Sequence, residues 1–294
     1  MVEAAGDAAR TLAPTRTQGG GVPVTVLEIR DGQPWWLSPD VWIVPGDDPE
    51  GPPGQPVAGA PAYLWARVHN DGEYEVRDAV VRFYWANPAV GFDRTTANLV
   101  GSAFVSLPPK QNSAVLCLAP WSVTAINDGH VCVLAEAFHP TLDPLPASPA
   151  FNVTSDPHVA QRNLNIVQAA DVAPVFVSFE IHNPDRVTRS FTLTAEVADP
   201  ASLRRLGQTT GIDSQHLDHG GRVEVFGFAH AACLGPDELT HVPDKVEVKL
   251  AAGQRAGLFL AARQQEGTTG LVNVVQSAGG REVGGLSCLL KGRV

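Results

Sequence analysis

The sequence predicts an all-β fold: two antiparallel β-sandwich domains in tandem, preceded by a flexible N-terminal arm. Three observations lead there. The 294 residues hold 28 glycines and 24 prolines but only 18% charged residues, a balance that suits short strands and tight turns better than long helices. Runs of alternating apolar and polar residues recur about every ten to fifteen positions, separated by Pro, Gly and Asn turns. One stretch also occurs twice: Trp65 to Pro88 reads strand, polar turn, strand, and so does Ser178 to Pro200. The length is generous for one core and comfortable for two domains of about 100 to 150 residues.

In chain order, residues 1–22 are rich in Ala, Gly and Thr without an apolar period and form the arm. Val22 to Arg30 alternates weakly as a first strand. Trp35 to Pro45 follows, then a proline-rich segment from Gly46 to Pro61 with no room for a helix. Aligning Val68-His-Asn70 with Ile181-His-Asn183, with one residue of gap in the turn, brings Pro61 onto Pro174 and Pro88 onto Pro200.

Strand side chains alternate faces, so a true repeat must agree on which parity is buried. Leu64, Ala66 and Val68 match Val177, Phe179 and Ile181; Ala79, Val81, Phe83 and Trp85 match Phe191, Leu193, Ala195 and Val197. The opposite parity is mixed and largely polar in both copies. The expected domains are therefore residues 23–168 and 174–294.

Further strand-like runs are Ala103 to Leu107, Ala114 to Ala119, Val131 to Phe138 and Asn163 to Val167. In the second half they are Val223 to Ala229, Val246 to Leu250, Gly257 to Arg263, Gly270 to Gln276 and Gly284 to Lys291. One short helix is expected over Pro200 to Leu206, opening after Asp199. Taken as a set, Ser38 to Ile43, Tyr63 to Asn70, Val81 to Ala86, Gly129 to Ala135, Asp143-Pro144 and His158 to Val167 resemble the immunoglobulin-like, CARDB-type modules of bacterial proteins. The resemblance covers about residues 35 to 167; residues 174 to 290 resemble the same class through the shared first stretch and the strand spacing. It implies an adhesive or scaffolding sandwich with no active site of its own.

Composition narrows the chemistry. A formal charge of −10 with 21 scattered Lys and Arg residues offers no phosphate-neutralising surface, which argues against nucleic acid. No apolar run is long enough to span a bilayer, and Met1 to Asp7 lacks the marks of a secretory signal, so the expectation is a cytoplasmic chain or one exported by a non-classical route. Cys117, Cys132, Cys233 and Cys288 lack CxxC spacing and are expected as reduced, buried thiols. Among nine histidines, His216, Asp218, His219 and His241 are the candidate metal ligands, but Gly220-Gly221 interrupts any helix that would align them, and solvated loop residues are the expectation. No GxSxG elbow or phosphate-binding glycine loop is present. Neither cofactor nor catalysis is expected.

All six tryptophans fall within the first 121 residues. Tyr63, Trp65 and Arg67 have outward parity where the second copy places Ser178 and Glu180, and Arg82 and Tyr84 point outward from the next strand. With Trp35 and Trp36 these form the candidate partner-binding set, because exposed aromatics with Arg are enriched in binding hot spots. The competing expectation is that the chain's own Pro34 to Leu37 segment folds over that face. The reading is a non-catalytic structural or protein-interaction component of a larger bacterial assembly, with a protein partner or self-association. A carbohydrate- or surface-binding module, with a glycan on the same rings, is the alternative, and a metal-dependent hydrolase is more distant.

Overall fold

The computed structural model describes residues 26–86, 93–123, 132–169, 174–183, 185–210, 223–230 and 242–292. The expected arm, 1–22, lies outside them. The first half holds β1 (Leu27–Glu28), β2 (Val41–Pro45), β3 (Pro61–Asn70), β4 (Val76–Ala86), β5 (Asn98–Leu107), β6 (Gln111–Leu116), β7 (Trp121–Ser122), β8 (Cys132–Phe138) and β9 (Val159–Arg162). Then come β10 (Leu164–Ala169), β11 (Val175–His182), β12 (Arg189–Val197), α1 (Pro200–Thr210), β13 (Val223–Ala229), β14 (Lys245–Leu250), β15 (Arg255–Gln264), β16 (Thr269–Ala278) and β17 (Arg281–Gly292). The protein is an all-β sandwich fold.

The sheets that hold β4 and β12 share part of their strand order, while those that hold β3 and β11 differ, with β3 central and β11 at an edge. β3 is flanked by β1 and β2 on one edge and by β6 and β7 on the other, facing a sheet of order β5-β4-β8-β9. In the second half, β11-β15-β13 faces β10-β17-β16-β12-β14. Thus β4 and β12 occupy equivalent places, as do β5 and β14, and β8 and β16. The two strands of each repeated stretch lie in opposite sheets, and the parity is as the sequence predicts. Leu64, Ala66, Val68, Val81 and Phe83 enter one core cluster, and Val177, Ile181, Phe191 and Leu193 enter a second. Val197 departs from this: at the end of β12, just before α1, it is 53% exposed.

The repeated His-Asn pair has a structural cause at its second residue. Asn70 Nδ2 donates to the carbonyl oxygens of Tyr74, Leu107 and Pro108 at 2.8, 3.0 and 3.1 Å, and its Oδ1 accepts from the Gly72 amide. Asn183 Nδ2 donates to Val187, Leu250 and Ala251 at 2.8, 3.0 and 3.0 Å, and its Oδ1 accepts from the Asp185 amide. Each fully buried amide pins the crossover between sheets to the end of the equivalent edge strand, and its bond to the Leu107 or Leu250 carbonyl is itself buried.

Two sequence expectations are corrected here. Asn163 to Val167 was given to the first domain, 23–168, yet β10 pairs in parallel with β17 in the second sheet pair, from Leu164↔Ser287 to Ala169↔Gly292. Alternation identifies a strand and its buried face but not the edge it joins. The helix runs on to Thr210 rather than ending at Leu206. Its start is as expected: Asp199 Oδ1 accepts from the Ala201 and Ser202 amides at 2.8 and 2.9 Å, and Pro200 opens the first turn.

Between the two sheet pairs, Trp36 is 1% exposed and packs with Leu37, Leu203, Leu206, Leu271 and Leu289. Its Nε1 donates to Ser287 Oγ at 3.0 Å. The ring lies so close over Gly285 that a Cβ there would come within 2.4 Å of it. Asn163 ties the same junction, accepting through its carbonyl from the Ser287 amide and donating Nδ2 to Gly285 O at 2.6 Å.

Candidate functional site

The outer face of β2 and β3 carries the aromatic site. Val41, Ile43, Leu64 and Ala66 turn inward, which leaves Trp42, Tyr63, Trp65 and Arg67 on the opposite parity. Register sets Trp42 beside Trp65, and their rings stack at 5.7 Å with planes 9° apart. The Arg67 guanidinium lies 5.8 Å from the Trp42 ring centre, a cation–π contact. Trp65 Nε1 donates to Pro49 O at 2.9 Å, so the proline-rich loop holds the ring in place. Both indoles and Tyr63 are half-buried and Arg67 is exposed. The face is aromatic along its length and cationic at one end.

The seven sequence-predicted residues do not meet in one place. Tyr63, Trp65 and Arg67 share this face. Arg82 and Tyr84 sit on the opposite sheet, because β3 and β4 belong to different sheets. Tyr84 is not outward-facing in effect: it is 4% exposed under Phe151, with Leu134, Val153 and Val159 around it. Trp36 is consumed at the junction, and the half-buried Trp35 bridges the clusters on either side of it, edge-on to Trp36 at 5.4 Å. The Pro34 to Leu37 segment therefore packs against the second sheet pair. Sequence reasoning missed Trp42, although the inward parity of Val41 and Ile43 already turned it outward beside Trp65.

The strongest charge cluster lies on the outer face of β4 and β8. Glu136 is fully buried and accepts from Tyr84 Oη at 2.6 Å and Arg94 Nε at 2.6 Å, with Arg82 Nη1 at 3.4 Å. Burial, then the bond to Glu136, pushes the Tyr84 hydroxyl well above its ordinary range. Arg94 Nη2 stands 4.0 Å from Asp156, whose Oδ1 meets His158 Nδ1 at 2.7 Å. His158 Nε2 faces Asp143 Oδ1 at 3.1 Å, off line for a hydrogen bond, and Asp143 Oδ2 accepts from the Val26 and Leu27 amides. Burial alone would lower the His158 pKa; the two carboxylates outweigh it and raise it to about 9. Burial opposes ionisation of Asp156, yet the His158 contacts and the Arg94 charge hold its pKa below the usual value. This network staples the segment before β9 and the start of β1 onto the sheet.

His69 is used likewise, its Nε2 2.7 Å from Asp40 Oδ2, both buried. Ser38 lies nearby, but its hydroxyl donates to Arg30 O and accepts from the Asp40 amide rather than meeting the imidazole. Cys117, Cys132 and Cys288 are free and buried, and burial pushes all three thiols above their ordinary pKa. Cys233 and the metal candidates His216, Asp218, His219 and His241 lie outside the described residues. Among the described residues no group of three His, Cys, Asp or Glu side chains is placed to hold a metal, and no helix is long and apolar enough to cross a membrane.

Fold and site together define the class: a β-sandwich protein with an ordered aromatic and arginine face. No protein-family profile matches the chain, and none of the curated proteins does. Among solved structures, the Escherichia coli alpha-2-macroglobulin activated by porcine elastase is 10% identical, covering 86% of this chain and 22% of that one, with a TM-score of 0.28. Red sea bream transglutaminase is 10% identical over 87% of this chain and 31% of its own, at 0.23. The CupB6 tip adhesin from Pseudomonas aeruginosa is 9% identical over 92% of this chain and 100% of its own, also at 0.23. This chain thus spans less than a third of the first two neighbours' length. Similarity that low assigns neither activity nor partner.

Proposed function

We propose that the chain is a non-catalytic interaction component of a larger bacterial assembly, a pair of immunoglobulin-like modules of CARDB type that receives a protein partner on the face of Trp42, Tyr63, Trp65 and Arg67. The observation that carries this is the stacked, half-exposed indole pair, locked by Pro49 and capped by Arg67. Preordered aromatic surface binds at low entropic cost, and Trp, Tyr and Arg dominate measured hot spots. The test is titration calorimetry of the full chain against the products of its neighbouring genes, wild type beside Trp65→Ala. A hot-spot residue lost costs at least about 2 kcal/mol, roughly thirtyfold in affinity. Unchanged affinity would remove the face from the account.

An adhesive module is the second reading, favoured by the near-parallel indoles, whose exposed faces also suit a sugar ring. It is recognised by tryptophan fluorescence changes across a glycan panel with the protein still monomeric, again lost in Trp65→Ala.

A further inference from the structure

β5 and β14 hold the same place in the repeat, and their difference points to a second surface. Leu107 and Leu250 each give a carbonyl oxygen to the buried asparagine of their module. Register from those anchors sets Ser102, Phe104 and Ser106 in the positions of Lys245, Glu247 and Lys249. Both strands close their sheets among the described residues. An edge strand offers a row of unpaired N–H and C=O groups to any other chain, and charge along it is the usual protection. β14 has that protection, with Lys245, Glu247 and Lys249 all exposed. β5 does not: its ten residues, NLVGSAFVSL, contain no charge and no proline, while Phe104 is 70% and Leu99 56% exposed.

We propose that β5 pairs antiparallel with β5 of a second copy of this chain, joining two four-stranded sheets into one across a two-fold axis near Phe104. The chain carries a formal charge of −10, so two copies approach most cheaply along a strand with no charge of its own. Arg82, opposite Ser102 on β4, is already turned to Glu136 on β8. An acidic or basic peptide finds no counter-charge on β5, whereas an identical strand is matched by symmetry. A two-fold contact uses the same edge on both copies and closes on itself, so the product is a pair. Ten residues make an edge roughly 33 Å long, a contact at the small end of specific interfaces, and the dimer is accordingly weak and concentration-dependent. The inference deepens the interaction reading by naming a second copy as partner, on a surface separate from the Trp65 face.

The experiment is sedimentation velocity of the full chain from low micromolar to near millimolar concentration. The wild type is expected to move from one copy to two. Phe104→Glu, and separately Ser102→Lys with Phe104→Glu, write the β14 pattern onto β5 and are expected to weaken pairing at least tenfold with an unchanged melting temperature. Should the glutamate variant not fold, Ser102→Lys alone carries the same expectation, and amide exchange of residues 98–107 in the wild type must slow with concentration. A wild type that stays at one copy, a mass that grows beyond two, or pairing that survives both variants overturns the proposal. So does pairing lost in Trp65→Ala and kept in Phe104→Glu. Failure of the partner titration leaves this result standing, and the reverse holds too.

Discussion

Glu136 and Val275 occupy one position in the repeat: Arg82 lies opposite Glu136 across β4 and β8, and its equivalent Thr194 lies opposite Val275 across β12 and β16. The sheets around them have the same order, yet their outer faces are closed in opposite ways. In the first, a turn-rich segment is held down by the Glu136, Arg94, Asp156, His158 and Asp143 network. In the second, α1 and Trp36 cover the face with Leu203, Leu206, Leu271 and Leu289. The inner faces of a sandwich are constrained by each other; the outer faces are free to acquire whatever cover the chain supplies.

The largest expected effect breaks the charged half of that comparison. Glu136→Ala leaves Arg94, 14% exposed at its side chain, and the Tyr84 hydroxyl without their acceptor, at a cost of about 3–5 kcal/mol. Val275→Ala removes part of one half-buried side chain and costs about 1 kcal/mol. Trp42, Trp65, Trp85 and Trp121 belong to the first sandwich and Trp35 and Trp36 to the junction, so fluorescence-detected urea unfolding follows the first sandwich and its seat on the second, while far-ultraviolet circular dichroism follows both. Equal losses for the two variants would remove the distinction.

The asparagines sharpen what the modules share. Asn70→Ala and Asn183→Ala each strip three carbonyls of their donor, one of them in a buried bond, and each is expected to cost about 2–3 kcal/mol. Asn70→Ala moves the fluorescence midpoint; Asn183→Ala moves the circular dichroism transition first. A loss confined to one of them would mean that the identical bonds do unequal work.

What the sequence revealed follows the same division. Inward parity was legible because Leu64 and Val177 answer to a two-residue period that local sequence carries. The His-Asn echo was legible, but not that only its asparagine is shared in function: His69 has Asp40 as a partner, and His182 Nδ1 is buried without one. Tyr84 was misread because its cover, around Phe151, is an irregular segment without a period. Trp36 was misread because its seat, Gly285, is remote in sequence. Trp65 and Arg67 were placed correctly on one face, while Trp42 needed the pairing of β2 with β3.

That remote seat gives the next effect in size. Gly285→Ala places a methyl against the Trp36 indole at 2.4 Å and forces the ring or the β17 backbone to shift, at about 1–3 kcal/mol of overpacking. The signature is a change in Trp36 emission. Gly284→Ala, whose Cβ meets only the Gln276 side chain at 3.6 Å, is the matched control.

The smallest effect separates the modules by pH, through histidines whose pKa values move in opposite directions. In the first, His158 is raised from 6.5 to about 9, so its stabilising contribution is complete below 6.5 and is lost as pH rises through 9. Asp156 is lowered below 3.8, and its contribution is present above that value and lost in acid. In the second, His182 is lowered from 6.5, first by burial and then by the Arg255 charge. The folded state there resists protonation, so stability falls as pH drops below 6.5. The measurement is the unfolding midpoint against pH for wild type, His158→Asn and His182→Asn. The first variant should flatten the alkaline fall seen by fluorescence, and the second the acid fall seen by circular dichroism. Shifts of the same sign in both would show that the Asp143 and Asp156 carboxylates do not hold the His158 proton.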